Sequence, residues 1–235
     1  MGRGLERKYP LGKASGVVEI EGVLSSEFCS SLVLSLTEDF DNLFFQGGTL
    51  GGLNTQVKLC HDSEFLNPNY YNAEKTNNLF QYSHAEHEIL TRMHESLSAY
   101  IQDYPQLWNM PSSFFTGIRI QRYKKNQGYY REHSDGMPWD FFYPQPNNRM
   151  RVLAFVMYLN TVEHGGGTRF PMHDYTSDAV EGKFLMFPTS WTYPHMGLVP
   201  HSSDKWIISS FVYTSPVEDF ETNNTLDSPL YSQEQ

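Results

Sequence analysis

From Phe114 onward the apolar residues stop recurring every three or four positions and begin to alternate, and this change of period limits the possible folds more than any other feature. Gly117-Ile118-Arg119-Ile120-Gln121-Arg122-Tyr123 alternates apolar and polar side chains, as a half-buried strand does. Residues 151–160 form a near-continuous apolar run, the mark of a central strand. The glycines at 165–167 turn the chain into a short strand ending at Phe170-Pro171, and strands follow over 182–188 and 205–213. Upstream the period is helical. Val17 to Leu24 reads as a short strand with a turn, and Ser25-Ser26-Glu27 as a helix start with a hydroxyl cap. Phe28, Leu32, Leu36 and Phe40 mark one face of a helix over 26–40; Ile89, Leu90, Met93, Leu97 and Ile101 mark a second over 82–101. Helices followed by short, turn-punctuated strands predict an α+β chain, mainly β: an antiparallel barrel or jelly roll with a helical layer.

A chain of 235 residues suits one such domain, expected over 17–214, with a loose polar lead-in at 1–16 and a polar tail at 215–235. The Gly-rich stretch 46–55 lacks the frame of a phosphate-binding loop and is expected to be a mobile connection. With the Pro- and aromatic-rich loop 137–148 it is placed in sequence to cover a site. The net charge of −10 argues against a nucleic-acid partner, which a basic stripe would mark. No apolar run is long enough to span a membrane. Cys29 and Cys60 are too few for a disulfide scaffold, and the start of the chain lacks the apolar core of a signal peptide, so a reducing cytoplasm is expected. On the second helix His84, His87 and His94 lie among glutamates, but no His-Glu-x-x-His frame can be drawn through them, which predicts a solvated face.

The chemistry is concentrated between Tyr123 and Lys205. A His-x-Asp pair, His133 and Asp135, with one distant histidine is the ligand set that leaves three positions open on non-haem Fe(II). Two residues apart on a strand, the pair would share a face. With nine histidines in the chain such a pair is weak evidence alone. It gains weight from what surrounds it in order: Tyr123, Gly128, Tyr130, His133, Asp135, Arg151, Tyr158-Leu159-Asn160, Val162, Gly165-Gly166, Thr168, Phe170-Pro171, Gly182, Phe187, His195 and, ten residues on, Lys205.

This succession resembles the catalytic core of the prolyl 4-hydroxylase-type 2-oxoglutarate/Fe(II)-dependent dioxygenases, strongly over about 117–213 and more weakly back to about 17. The resemblance implies a double-stranded β-helix, with Fe(II) held by His133, Asp135 and His195. It implies that 2-oxoglutarate chelates the metal through its keto-acid end while its far carboxylate meets Lys205, with Thr168 and Tyr123 donating hydrogen bonds. A dianion in a dry pocket needs such a cation and neutral donors. The implied reaction uses O2, with ascorbate as reductant, to hydroxylate an unactivated C–H while 2-oxoglutarate becomes succinate and CO2. A prolyl residue of a peptide or protein is the leading substrate; a free amino acid or other small molecule, and a jelly-roll binding module without catalysis, are the alternatives. Nucleic-acid demethylases of the wider superfamily anchor the co-substrate with arginines after the second histidine, and Trp206 to Tyr213 contains none. Halogenating relatives lose the carboxylate ligand, whereas Asp135 is present.

Two histidines, His195 and His201, follow the Trp191-Thr192-Tyr193-Pro194 segment. Family spacing selects His195. A hairpin joining 195–199 to 205–213, with Val199 facing Lys205, would turn His195 and Lys205 inward together and leave His201 at the tip; a one-residue slip would reverse this.

Overall fold

The computed structural model describes residues 6–49, 52–66, 83–109, 114–136 and 151–213. The connection at 67–78, the aromatic loop 137–148 and the tail 215–235 lie outside them. The elements are β1 (Arg7–Lys8), β2 (Val18–Ile20), α1 (Ser26–Glu38), α2 (Phe40–Leu43), β3 (Phe45–Gln46), β4 (Lys58–Leu59), β5 (His61–Leu66) and α3 (Ser83–Asp103). After these come β6 (Phe114–Tyr123), β7 (Tyr129–His133), β8 (Arg151–Tyr158), β9 (Thr168–Phe170), β10 (Tyr175–Ser177), β11 (Phe184–Pro188), β12 (His195–Gly197) and β13 (Lys205–Tyr213).

All strands pair antiparallel, in two sheets. The larger runs β1-β2-β11-β8-β13-β6-β5-β3 and the smaller β10-β9-β12-β7-β4. The apolar run at 151–158 is central because β8 pairs with β11 on one side and β13 on the other. Its alternate residues feed two cores. Leu153, Phe155 and Met157 face the helices with Ile120, Ile208, Phe184 and Met186. Ala154 and Tyr158 face the smaller sheet with Leu185, Phe187, Ile207 and Phe170. This is the expected double-stranded β-helix backed by helices.

Helix α1 starts where the Ser25 hydroxyl accepts from Phe28 N at 3.2 Å, satisfying one of the free amide donors of the first turn. It buries Cys29, Leu32 and Leu36 and stops at Glu38, so Phe40 begins a separate turn. There Phe40 stacks on Phe44 and meets Trp206 edge-on, with the Arg122 guanidinium over both the Phe40 and Trp206 rings. Helix α3 buries Ile89, Met93, Leu97 and Ile101; His84, His87 and His94 are exposed. Among the described residues no helix is long and apolar enough to cross a membrane.

The segment expected to be a loose lead-in is held from Arg7 onward. Strand β1 pairs with β2, and Arg7 Nε, Lys13 Nζ and the Tyr9 hydroxyl converge on the Asp103 carboxylate at the end of α3. Tyr100 and Tyr104 donate to the carbonyls of Gly16 and Lys13. Polar residues without a period can still be ordered when one buried-edge carboxylate collects them. Within the Gly-rich stretch residues 52–55 are exposed, but Gly47 is packed: a Cβ there would come within 2.5 Å of Cys60 Sγ and 2.8 Å of Asp62 Oδ1. Only glycine lets the backbone cross β5 this closely.

Candidate metal centre and co-substrate pocket

The three proposed ligands come together. Nitrogens of His133 and His195 and a carboxylate oxygen of Asp135 lie within 4.8 Å of one another, a cluster found nowhere else among the described residues. His133 Nε2 is 3.5 Å from Asp135 Oδ1 and His195 Nε2 is 3.3 Å from Asp135 Oδ2. Each imidazole is oriented from behind, His133 Nδ1 by the Arg131 carbonyl at 2.8 Å and His195 Nδ1 by the Tyr193 carbonyl at 3.2 Å. With Nδ1–H donating to a carbonyl, Nε2 is left as the lone-pair nitrogen facing the carboxylate. Phe170 and Phe187 pack against His195, which is buried.

The electrostatics suit a divalent cation. Burial alone would raise the Asp135 carboxyl, but the charge of His195, the hydrogen bond from His133 and the charge of Arg151 hold it at about 2. Burial pushes His195 down to about 4, against the pull of Asp135. A carboxylate and a neutral imidazole are the forms that bind metal near neutrality.

The expectation that His133 and Asp135 share a strand face is only half right. Strand β7 ends at His133, and Asp135 lies in the bend beyond it. The bend is pinned by Gly136 N donating to the Thr189 carbonyl at 2.8 Å, where a Cβ at 136 would meet Thr189 Oγ1 at 2.7 Å. Arg151 Nη1 reaches the Asp135 carbonyl at 3.3 Å. His133 itself is turned inward by a bulge. On β12 His195 and Gly197 are two positions apart, whereas their partners on β7, His133 and Tyr130, are three apart. A regular strand would point residues three apart to opposite faces; the bulge brings both inside, with ring centroids stacked at 3.6 Å.

The hairpin expected between 195–199 and 205–213 does not form. Strand β12 belongs to the smaller sheet, between β7 and β9, whereas β13 runs in the larger sheet with Lys205 opposite Tyr123. His195 and Lys205 both face inward, but from opposite walls. His201 is exposed, with Nδ1 3.0 Å from Asn126 Oδ1.

Across the smaller sheet one row of cross-strand partners runs Lys58, Tyr130, Gly197, Thr168, Ser177. Its middle faces Lys205: a Cβ on Gly197 would sit 3.5 Å from Lys205 Nζ. Lys205 is 2% exposed, and no acidic side chain pairs with it among the described residues. Its ammonium lies 4.2 Å from the centroid of the Tyr123 ring, and burial, opposed by the nearby Cys60, lowers its pKa to about 7. The Tyr123 hydroxyl is engaged with Gln121 Oε1 at 3.1 Å, so what Tyr123 gives Lys205 is its ring face. Asn160 fixes the backbone on both sides of Lys205: Nδ2 donates to the Asp204 carbonyl at 2.9 Å and Oδ1 accepts from Trp206 N at 2.8 Å.

Sequence reasoning missed two further buried lysines, Lys183 and, on the same wall as the candidate ligands, Lys58. Lys58 is paired with Asp62 at 2.8 Å, and Asp62 also accepts from Gln121 and contacts Cys60 Sγ. Polar residues alternating through Lys58, Cys60 and Asp62 on two short strands were the available signal.

A His-Asp-His cluster between the two walls of a double-stranded β-helix, beside a buried lysine with no acidic partner among the described residues, is the arrangement expected of a mononuclear iron oxygenase that takes an acidic co-substrate. Residues 118–213 match the 2OG-Fe(II) oxygenase superfamily, a match that implies Fe(II), 2-oxoglutarate and O2 as the groups used. The chain's fold is similar to that of the viral collagen prolyl hydroxylase of Paramecium Bursaria Chlorella virus-1 in its 2-oxoglutarate complex (20% identity, TM-score 0.59, covering 84% of this chain and 95% of that one). It is also similar to a Pseudomonas putida prolyl-4-hydroxylase (16%, TM-score 0.58, 84% and 92%). A third likeness is a Trichoplax adhaerens prolyl hydroxylase bound to a hypoxia inducible factor peptide fragment (14%, TM-score 0.60, 90% and 88%). No curated protein sequence matches the chain.

Proposed function

We propose that this dioxygenase hydroxylates a prolyl residue of a peptide or protein. In this reading His133, Asp135 and His195 hold Fe(II), and Lys205 pairs with the far carboxylate of 2-oxoglutarate beside Thr168. The observation that carries it is that two imidazole nitrogens and a carboxylate gather within 4.8 Å on one wall while a buried lysine, with no acidic partner among the described residues, faces them from the other. Prolyl substrates are supported by the shared fold of three prolyl hydroxylases, one of them bound to a peptide. Bound iron and co-substrate would supply the oxidising power that places one atom of O2 in the C–H bond and the other in succinate. The protein's own groups orient and desolvate: the backbone carbonyls of Arg131 and Tyr193 hold the imidazole tautomers, Phe170 and Phe187 keep His195 dry, and the Arg151 side chain and the Gly136 backbone hold the bend at Asp135 in place. Ascorbate is the proposed reductant keeping the iron ferrous. Loops 46–55 and 137–148 are proposed to close over the substrate. The free, buried thiols Cys29 and Cys60 are in keeping with the reducing cytoplasm we assign.

The test is turnover on a proline-containing peptide array with mass detection. Products heavier by one oxygen, formed only with Fe(II), 2-oxoglutarate and reductant and lost in chelator, are expected. Turnover persisting in chelator without iron would overturn the oxygenase reading; oxidation confined to free amino acids would overturn the peptide substrate.

Co-substrate binding should also depend on pH. Burial lowers Lys205 to about 7, so above that pH the free protein holds it neutral, and pairing with a carboxylate requires it to take up a proton. The Kd for 2-oxoglutarate should therefore rise by about tenfold per pH unit above this value and be flat just below it. Isothermal titration in buffers of different ionisation heat would show the proton uptake directly; equal affinity at the two ends of the range would place the dianion elsewhere.

A further inference from the structure

We propose that Tyr158 is a positioning residue for the co-substrate: its phenol sets the Thr168 hydroxyl to donate toward the carboxylate that Lys205 pairs. This rests on the co-substrate placement proposed above. Tyr158 comes from the larger sheet, opposite Ile207 on β13, and is fully buried. Its ring crosses the gap between the walls, and its oxygen lies 2.7 Å from Thr168 Oγ1 on the smaller one. Thr168 is the cross-strand partner of Gly197, against which the Lys205 ammonium rests, so its side chain borders the space in front of that cation.

The direction of the Tyr158–Thr168 hydrogen bond follows from counting protons. A threonine hydroxyl has one hydrogen and a carboxylate has none, so Thr168 helps bind the anion only if that hydrogen is free. Were it given to Tyr158, the threonine would turn lone pairs toward the carboxylate and repel it. The phenol is the better donor of the two, and burial pushes its pKa far up, so it keeps its proton throughout the working range. Nothing else draws that proton away. Glu19, the nearby carboxylate, is already served by the Tyr175 hydroxyl at 2.6 Å and Lys183 Nζ at 3.2 Å. Ser177 Oγ, buried beside Tyr158 and Glu19, makes no hydrogen bond of good geometry to either. The arrangement therefore runs one way, phenol to threonine to carboxylate.

The experiment measures binding, not turnover. Fe(II)-loaded protein under anaerobic conditions is titrated with 2-oxoglutarate and with 2-oxovalerate, which has the same keto-acid end but a methyl in place of the far carboxylate. Tyr158→Phe should weaken 2-oxoglutarate by about five- to tenfold, leaving 2-oxovalerate and Fe(II) affinities unchanged. Thr168→Val should weaken 2-oxoglutarate too, and in that background Tyr158→Phe should add nothing. Equal loss for both keto acids would mark Tyr158 as merely structural and overturn the inference, as would additive losses in the double variant. If Thr168→Val weakens 2-oxoglutarate and Tyr158→Phe does not, the inference alone falls. If Thr168→Val changes nothing, the co-substrate placement falls and takes the inference with it. Should Tyr158→Phe fold poorly, 2,3-difluorotyrosine at 158 keeps the shape with a stronger donor and should tighten 2-oxoglutarate; unchanged or weaker binding would overturn the inference.

Discussion

His195→Ala should abolish Fe(II) binding and turnover while leaving the fold intact, and His201→Ala should retain most of both. His195 is buried in the smaller sheet with Nε2 facing Asp135, and truncating it removes one of three donors from the candidate site. His201 is exposed six positions on, and its ring contacts Asn126 instead. The measurement is equilibrium iron binding by anaerobic titration, with circular dichroism to confirm the fold. Loss of iron in His201→Ala with retention in His195→Ala would show that the wrong histidine had been assigned. His195→Ala carries a second expectation: Asp135 loses the neighbour that most depresses its pKa and should titrate higher in metal-free protein.

The second large effect is expected at Lys205. Lys205→Ala should raise the KM for 2-oxoglutarate by about 30- to 1000-fold, roughly 2–4 kcal/mol, because it leaves a carboxylate in a dry pocket without its counter-charge. Iron affinity should survive, since Lys205 stands on the wall opposite the ligands. Lys205→Ala should also make the apo protein more resistant to unfolding near neutral pH. The folded pKa of about 7 lies below the ordinary lysine value of 10.5, so the folded state binds fewer protons than the unfolded chain between them. Stability in the parent protein therefore rises with pH over that interval, and the variant should lose this slope. An unchanged KM would place the co-substrate elsewhere.

How much of this could be read from sequence depends on the range of the information. Alternation along Gly117 to Tyr123 and the run at 151–158 identify strands because side-chain period is local. The ordered spacing of His133, Asp135 and His195 pointed to three residues that the fold brings within 4.8 Å. Which strand lies beside which is not local, and there the reading failed. The turn-like Pro200 to Asp204 suggested a hairpin, but the chain uses that segment to cross from one sheet to the other. The bulge that turns His133 inward leaves no trace in composition, since it is a mismatch between β7 and β12 and belongs to neither alone. The buried Lys58–Asp62 pair was passed over for a related reason: despite the alternation at 58, 60 and 62, a charged residue reads as exposed until its partner is placed. The lead-in was misjudged because its anchors, Asp103, Tyr100 and Tyr104, lie about ninety residues away in sequence.

The opposition of the two walls has a thermodynamic consequence. The proposed metal donors His133 and His195 lie on the smaller sheet, with Asp135 in the bend after β7, whereas Lys205 lies on the larger. A co-substrate that gripped both would therefore act as a removable crosslink across the jelly roll. Metal and co-substrate should each increase the other's affinity by the same factor, as linkage requires. The two together should delay thermal separation of the sheets by more than the sum of their separate effects.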